Sequence, residues 1–317
     1  MSSEFNLIQQ YFNRPTQHTN LSVGDDSALI SISAGMELAI SVDMLVAGTH
    51  FFADCDAYLL GWKSLAVNIS DMAAMGANAK WATLAIALPE VNTAWLANFS
   101  RGFFACAASF NVDLIGGDTT RGPLTISVQI MGEVPTGKAI KRHGANADED
   151  IWVTGTLGSA ALGLAHLKNN ITLDDDTLET CLLALHKPMP RSVIGLALQN
   201  IATSCIDISD GLLADLGHIL KASNKGATLN LESIPCHDYL RQRISEPYFQ
   251  KLMVAGGDDY ELCFTAPKSC YPSIIALRQR YNLPICQIGQ THSDLGLNLQ
   301  YKGNKLNIEK EGYDHFD

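Results

Sequence analysis

The chain has 317 residues, 47% hydrophobic and 17% charged, a globular composition that excludes a largely disordered protein. Its length exceeds the size at which a single core stops growing, so two domains are expected. The formal charge of -11, from 33 acidic against 22 basic residues with no Lys/Arg-rich patch, disfavours direct nucleic-acid binding. Divalent cations recruited by some of those carboxylates would invert the local field, which keeps phosphates within reach as ligands.

Residues 1–10 have neither a basic flank nor an apolar run, so they do not read as a signal peptide. No window nears the ~18 apolar residues of a membrane span. The expectation is a soluble, cytoplasmic protein. In chain order, residues 37–43 show a strand pattern, 58–75 a helical period, 81–88 a strand and 92–110 a second helix. Residues 112–115 and 124–134 give two further strands, completing an α/β half. At 138–150 the run KAIKRHGANADED is polar and aperiodic, and the domain boundary is placed there, giving domains 1–140 and 141–317. The second half opens with a strand at 151–154, followed by helices at 160–168, 178–185 and 192–201. A strand ending at Asp207, a helix at 211–222, strands at 228–231, 261–265 and 285–288, and a helix at 273–281 complete it.

The eight cysteines are widely spaced, with no CxxC pair, and are expected to be reduced thiols. The nine histidines include no HxxxH, so a zinc site has little support.

The chemistry concentrates in aspartates. Gly-Asp turns are expected at 24–26, 116–118 and 256–259, where glycine allows close backbone approach and the following Asp presents a carboxylate. Asp43 closes the first strand, and Asp71 lies near the end of the first long helix. Asp207 and Ser209 alternate out of a strand, while Asp210 and Gly211 open the next helix; Ser209 or Asp210 also reads as a helix N-cap. Magnesium takes hard oxygen ligands and is usually held by a few carboxylates together with substrate phosphates. Asp26, Asp43, Asp71, Asp118, Asp207 and Asp210 would make such a site, and without cations their convergence would be strongly repulsive. A competing motif runs from Gly155 through Gly158 to Gly163 after a strand, loosely like a dinucleotide fingerprint, with Asp174–Asp176 as candidate ribose acids. Its spacing departs from GxGxxG. No GxxxxGK[ST] loop is present.

The segments VGDDSAL, SVDMLVAGTHF, NISDMAAMGA, LIGGDTTRGP, VTGTLGSAALGL, DISDGLLADLGHI, AGGDDYELCF and GYDHF keep their order from about Gly24 to Phe316. Together they resemble the thiamine-monophosphate kinase family of the aminoimidazole-ribonucleotide-synthetase-like superfamily. That resemblance implies a two-domain α/β (α+β) homodimer whose N-terminal sheet domain pairs across the two-fold axis and whose C-terminal domain closes over the nucleotide. It also implies phosphorylation of thiamine monophosphate by ATP with several Mg2+ ions, with no general base. By position, Asp26, Ser41, Val42 through its backbone, Asp43, Asp71, Asp118, Asp207 and Asp210 would serve the ions. Gly117, Asp118, Arg142 and Ser209 would contact ATP, with Phe104 at the adenine. His50, Asp258 and Tyr313 would contact thiamine monophosphate, Asp258 standing where many relatives carry Glu. The plain structural alternatives are a packed histidine at His50, a packed tail residue at Tyr313 and a solvated charge at Arg142. Selenophosphate chemistry would need a reactive cysteine near the N-terminus, and the first is Cys55. A non-catalytic cation-binding module would bind metal without turning over ATP.

Overall fold

The computed structural model describes residues 4–308 and 312–313. It resolves into two compact units, one of Met1–Met72 with Ala77–Gly137 and the other of Ala73–Gly76 with Lys138–Asp317. Among the described residues no helix is long and apolar enough to cross a membrane.

The first unit begins with α1 (Glu4–Leu7), which runs into a single π turn at Ile8–Phe12. After a long irregular segment come β1 (Met36–Val46), α2 (Ala57–Ala74), β2 (Asn78–Leu88), α3 (Thr93–Phe110), β3 (Asp113–Arg121) and β4 (Thr125–Pro135). The four strands form one sheet in the order β1-β4-β2-β3, so β1 and β3 are its edges. β4 runs antiparallel to both neighbours, and β2 and β3 are parallel, joined through α3.

Strand alternation gives this sheet two distinct faces. One buries Ala82, Leu84, Ile86, Ile126, Val128 and Ile130. The other is covered in its middle by the N-terminal segment, where Ala28 and Ile30 pack on Trp81, Ile115 and Met131. Along β1 that second face has no such cover among the described residues: Met36, Leu38, Ile40, Val42 and Met44 are all exposed, with Val42 reaching 60%. Five alternating apolar side chains on an edge strand form a patch of the kind that marks an association surface.

Two sequence expectations need correction in this unit. Asp43 does not close its strand, because β1 continues to Val46. Gly116–Asp118 is not a turn, because β3 runs through it, with a register irregularity against β2 at that level. Gly117 makes this continuation possible: its φ is +151°, and a Cβ there would stand 1.8 Å from the Leu84 carbonyl oxygen. The glycine pair serves strand packing, not a reversal.

The second unit contains β5 (Asp150–Thr154), α4 (Ser159–Leu167), α5 (Asp175–His186), α6 (Ser192–Leu198), β6 (Ser204–Asp207), α7 (Leu212–Ser223), β7 (Gly226–Asn230), α8 (Asp238–Gln242), α9 (Pro247–Val254), β8 (Leu262–Ala266), α10 (Tyr271–Tyr281), β9 (Ile285–His292), β10 (Gly296–Tyr301) and β11 (Asn304–Leu306). Its seven-stranded sheet has the order β11-β10-β7-β9-β5-β8-β6, and β7 with β10 is its parallel pair. Two apolar clusters pack on it, one built on Val153, Leu162, Ile206, Leu216 and Ile288, the other on Trp152, Leu198, Phe264 and Ile285. The elements absent from the sequence reading, α8, α9, β10 and β11, are short or lie in mixed-polarity stretches with too little period to register.

Candidate functional site

In the first unit the residues of β1 and α2 meet. Ser41 and Asp43 point to the same face of β1, two residues apart, while Asn68 and Asp71 lie one turn apart on one side of α2. The Ser41 hydroxyl donates to Asp71 Oδ2 at 2.5 Å, and the Asp43 N–H donates to Asn68 Oδ1 at 3.0 Å. Because β1 is an edge strand, the Asp43 N–H faces away from β4 and needs an acceptor outside the ladder. Asn68 provides it, and its own amide is anchored on the Ser64 carbonyl at 3.0 Å. The sequence reading passed over Asn68, although its i, i+3 spacing from Asp71 was the available signal. The Val42 side chain points to the opposite face, so only its backbone is placed beside these carboxylates.

His50 follows β1 in a tight turn, where its Nδ1 accepts the Val46 N–H at 3.0 Å and its own N–H donates to the Val46 carbonyl at 2.9 Å. Accepting at Nδ1 puts the ring proton on Nε2. Asp26 is exposed in the N-terminal segment, its N–H turned onto the Asp25 carboxylate at 2.8 Å.

Asp118 is not brought beside Asp43. The cross-sheet register runs from Met44 through Ser127 and Ala85 to Asp118, so Asp118 lies three strands away, about 14 Å at ordinary strand spacing. It also shares the face of Met44 and Val42, not that of Asp43.

Phe104 on α3 lines a cavity of about 280 Å³ with Arg14, Thr16, Gln17, Asn111 and Asp113. The Arg14 guanidinium lies 5.0 Å from the centre of the Phe104 ring. The wall carrying Thr16 and Gln17 is fixed by Asp113, whose carboxylate accepts the N–H groups of Gln17 at 2.9 Å and His18 at 2.6 Å and the Thr19 hydroxyl at 2.9 Å.

In the second unit, Asp207 ends β6 in a buried position, and residues 208–211 lead into α7. This loop organises its surroundings through its backbone. The Ile208 carbonyl accepts the Tyr260 N–H at 2.8 Å, the Ser209 carbonyl accepts that of Asp258 at 2.8 Å, and the Asp210 carbonyl accepts that of Tyr313 at 3.1 Å. On the inner side, one oxygen of Asp215 accepts the N–H groups of Ser209, Asp210 and Gly211 at 3.0, 3.0 and 3.1 Å. Burial, reinforced by the Asp210 carboxylate, pushes the Asp215 carboxyl up to about 7, against the pull of those three donors. The N-cap reading of Ser209 and Asp210 is not met: Gly211 is the N-cap, and it makes no side-chain bond.

Asp258 sits at φ +67°, and its Oδ1 accepts the Tyr260 hydroxyl at 2.9 Å. Beside it, Asp259 accepts the Gly158 N–H at 2.9 Å while its other oxygen is buried without a hydrogen-bond partner, and burial pushes its pKa well up. Tyr313 is half exposed. The rest of its motif, Asp314–Phe316, lies outside the described residues. Arg142 is exposed in the segment entering this unit, its carbonyl accepting the Ser223 hydroxyl at 3.4 Å.

The dinucleotide alternative fails on hydrogen bonds. The N–H groups of Gly155, Leu157 and Gly158 are already donated to Pro284, Pro235 and Asp259, leaving them unavailable for a pyrophosphate. β5 is antiparallel to both its neighbours, unlike the parallel strand of that motif. Asp174 caps α5 through the Thr177 N–H at 3.0 Å and hydroxyl at 2.9 Å, which accounts for the acidic run.

Among the described residues no three His, Cys, Asp or Glu side chains gather closely enough to hold an ion by themselves. The donors instead come as small sets of hard oxygens, such as Ser41 with Asp43 and Asp71. This suits magnesium, which completes its shell with phosphate oxygens and water.

The N-terminal domain of the AIR synthase related proteins matches residues 24–134, and the C-terminal domain of the same proteins matches residues 146–302. The thiamine-monophosphate kinase of Salmonella typhimurium strain LT2 is 43% identical over 318 residues, covering 99% of this chain and 98% of that protein. The crystal structure of thiamine-monophosphate kinase from Stenotrophomonas maltophilia K279a superposes with a TM-score of 0.84 at 41% identity, covering 91% and 92% of the two chains. AaThiL complexed with AMPPCP and TMP superposes with a TM-score of 0.78 at 28% identity over 93% and 92%. With both domains matched in order and relatives above 40% identity along the whole length, the chain belongs to the thiamine-monophosphate kinase family of AIR synthase related proteins.

Proposed function

We propose that this protein transfers the γ-phosphoryl group of ATP in line to the phosphate of thiamine monophosphate, yielding ADP and thiamine diphosphate in the cytoplasm as the last step of thiamine diphosphate biosynthesis. The observation that carries this reading is the loop at 208–211. It bears Ser209 and Asp210 from the nucleotide and metal set, and its carbonyls hold the backbones of Asp258 and Tyr313 from the acceptor set. The groups proposed for both substrates therefore share one hydrogen-bonded support.

The attacking atom is a phosphate oxygen, already largely deprotonated near pH 7 because its second pKa is about 6. No side chain is needed as a base. The chemical problem is to bring two anions together, and the residues answer it by positioning and neutralisation. Arg142 and the Gly117 backbone would hold the triphosphate, Ser209 would donate to it, and Phe104 with its cavity would receive the adenine. His50 has its proton on Nε2 and can donate to the acceptor phosphate. Asp258 and Tyr313 would hold the thiamine moiety. Magnesium ions held by Asp26, Ser41, the Val42 carbonyl, Asp43, Asp71, Asp118, Asp207 and Asp210 would supply charge neutralisation of the phosphates.

The working form in this reading is a homodimer. The apolar stripe of β1 needs cover, and the separation of Asp118 from Asp43 within one chain favours a site completed by a second copy.

Incubation with ATP, Mg2+ and thiamine monophosphate should give equal amounts of ADP and thiamine diphosphate by chromatography. Free phosphate beside unchanged thiamine monophosphate would overturn the kinase reading, and metal binding without ATP turnover would favour a binding module.

Tyr313→Ala keeps the backbone bond to Asp210 and removes only the ring. A ring stacked on thiamine contributes about 0.5–1.5 kcal/mol, so affinity for thiamine monophosphate should fall about 2- to 12-fold with ATP affinity unchanged. Titration calorimetry with each ligand separately decides this, and equal losses for both would remove Tyr313 from the acceptor site.

A further inference from the structure

The loop at 208–211 has three outward carbonyls engaged by two other segments, 258–260 and the one bearing Tyr313, and the N–H groups of Ser209, Asp210 and Gly211 converge on one atom, Asp215 Oδ2. We propose that Asp215 is a positioning residue for the reaction, acting as the inner clamp that fixes this loop and, through it, both the nucleotide side and the acceptor side of the site. The inference rests on the kinase reading for what the loop presents to substrates, but not for the clamp itself.

Several observations set this apart from ordinary helix capping. Asp215 lies in the first turn of α7, yet it reaches back past the helix start to N–H groups that precede the helical residues. Those N–H groups belong to Ser209, Asp210 and Gly211, whose side chains and turn carry the proposed ligands. Asp215 is only 3% exposed, so with it in place these N–H groups have the carboxylate and not solvent as their acceptor. The outer bonds then transmit the position of the loop: the Ser209 carbonyl holds Asp258, and the Asp210 carbonyl holds Tyr313. The packing is tight on both sides. A Cβ at Gly257 would stand 2.4 Å from the Ser209 carbonyl oxygen, and one at Gly312 would stand 3.0 Å from that of Asp210. A shift of the loop must therefore displace both neighbours.

The clamp needs an acceptor oxygen at this place more than it needs a charge. Asp215→Asn keeps such an oxygen, whereas Asp215→Leu keeps the branched shape and removes it. In the full-length protein, Asp215→Leu should raise KM for both ATP and thiamine monophosphate about 10-fold or more, since small misplacements of binding groups carry large kinetic losses, while Asp215→Asn should stay within about 3-fold of the parent. Amide exchange at residues 209–211 should accelerate in Asp215→Leu while amides of β5 and β8 keep their protection. That measurement needs no turnover, so a failed clamp and a failed kinase reading are separable. Asp215→Ser, polar but too short to reach the three amides, replaces the leucine variant if that one does not fold. Unchanged KM values in a folded Leu or Ser variant would overturn the proposal. So would an asparagine variant as impaired as the leucine one, and so would unchanged exchange at 209–211.

Discussion

Asp71→Asn is expected to lower kcat by more than about 100-fold while leaving the circular dichroism spectrum unchanged. The side chain lies on α2 with Oδ2 already accepting the Ser41 hydroxyl at 2.5 Å, and Ser41 is two residues from Asp43 on the same strand face. Asparagine preserves the shape and one acceptor oxygen but removes the charge that a magnesium ion would be held by. Loss of a group that merely supports a metal ligand commonly costs about 10- to 100-fold, so loss of a ligand itself should exceed that range. The fold should persist because asparagine keeps an acceptor oxygen for the Ser41 hydroxyl and the apolar side of α2 is untouched. Raising the magnesium concentration should recover part of the rate, because weakened ion binding is offset by mass action. The measurement is a magnesium titration of steady-state turnover for parent and variant. Parent-like turnover at limiting magnesium would remove Asp71 from the metal set.

The same region shows why part of the site was legible in the sequence and part was not. Asp43, Asp71 and Asp207 stand out in the sequence as candidates because acidic residues at strand and helix positions are conspicuous among apolar neighbours. The pairing of Ser41 with Asp71 could not be read, because it depends on the crossing of an edge strand over a helix about thirty positions away in the chain. Asn68 was overlooked for a related reason: its function is to satisfy an N–H that is unpaired only because β1 ends the sheet, and edge status is a property of topology. The elements themselves are legible wherever an apolar period runs for most of their length, as in α2, α3 and β4. They were missed where short pieces such as α8 and β11 owe their form to packing on the larger sheet. The placement of Asp118 on the opposite sheet face from Asp43 is likewise a matter of register. Shifting a strand by one residue exchanges its faces, and a motif such as Gly-Gly-Asp does not state its register.

The glycine pair in that motif gives the sharpest test of the corrected reading. Gly116→Ala should be tolerated, whereas Gly117→Ala should destabilise the first unit by about 3 kcal/mol or more and abolish turnover. A Cβ on Gly116 would meet nothing within 4 Å, and its backbone lies outside the positive-φ region. A Cβ on Gly117 would stand 1.8 Å from the Leu84 carbonyl oxygen and 2.6 Å from its carbonyl carbon, at a φ of +151° that side-chain-bearing residues rarely adopt. Overpacking against fixed groups costs about 1–3 kcal/mol, and an incompatible backbone conformation adds about 1–2 kcal/mol, so the two effects together exceed what an edge strand can absorb. Here the obstacle is backbone within the β2–β3 ladder, which can yield only by parting the strands, and Asp118 would move with them. Were residues 116–118 an exposed turn, the two substitutions would behave alike. Chemical denaturation and turnover measured side by side on Gly116→Ala and Gly117→Ala distinguish these cases. Equal tolerance of both would show that β3 is not held against Leu84 as described, and equal intolerance would place a neighbour at Gly116 that the packing of this strand does not contain.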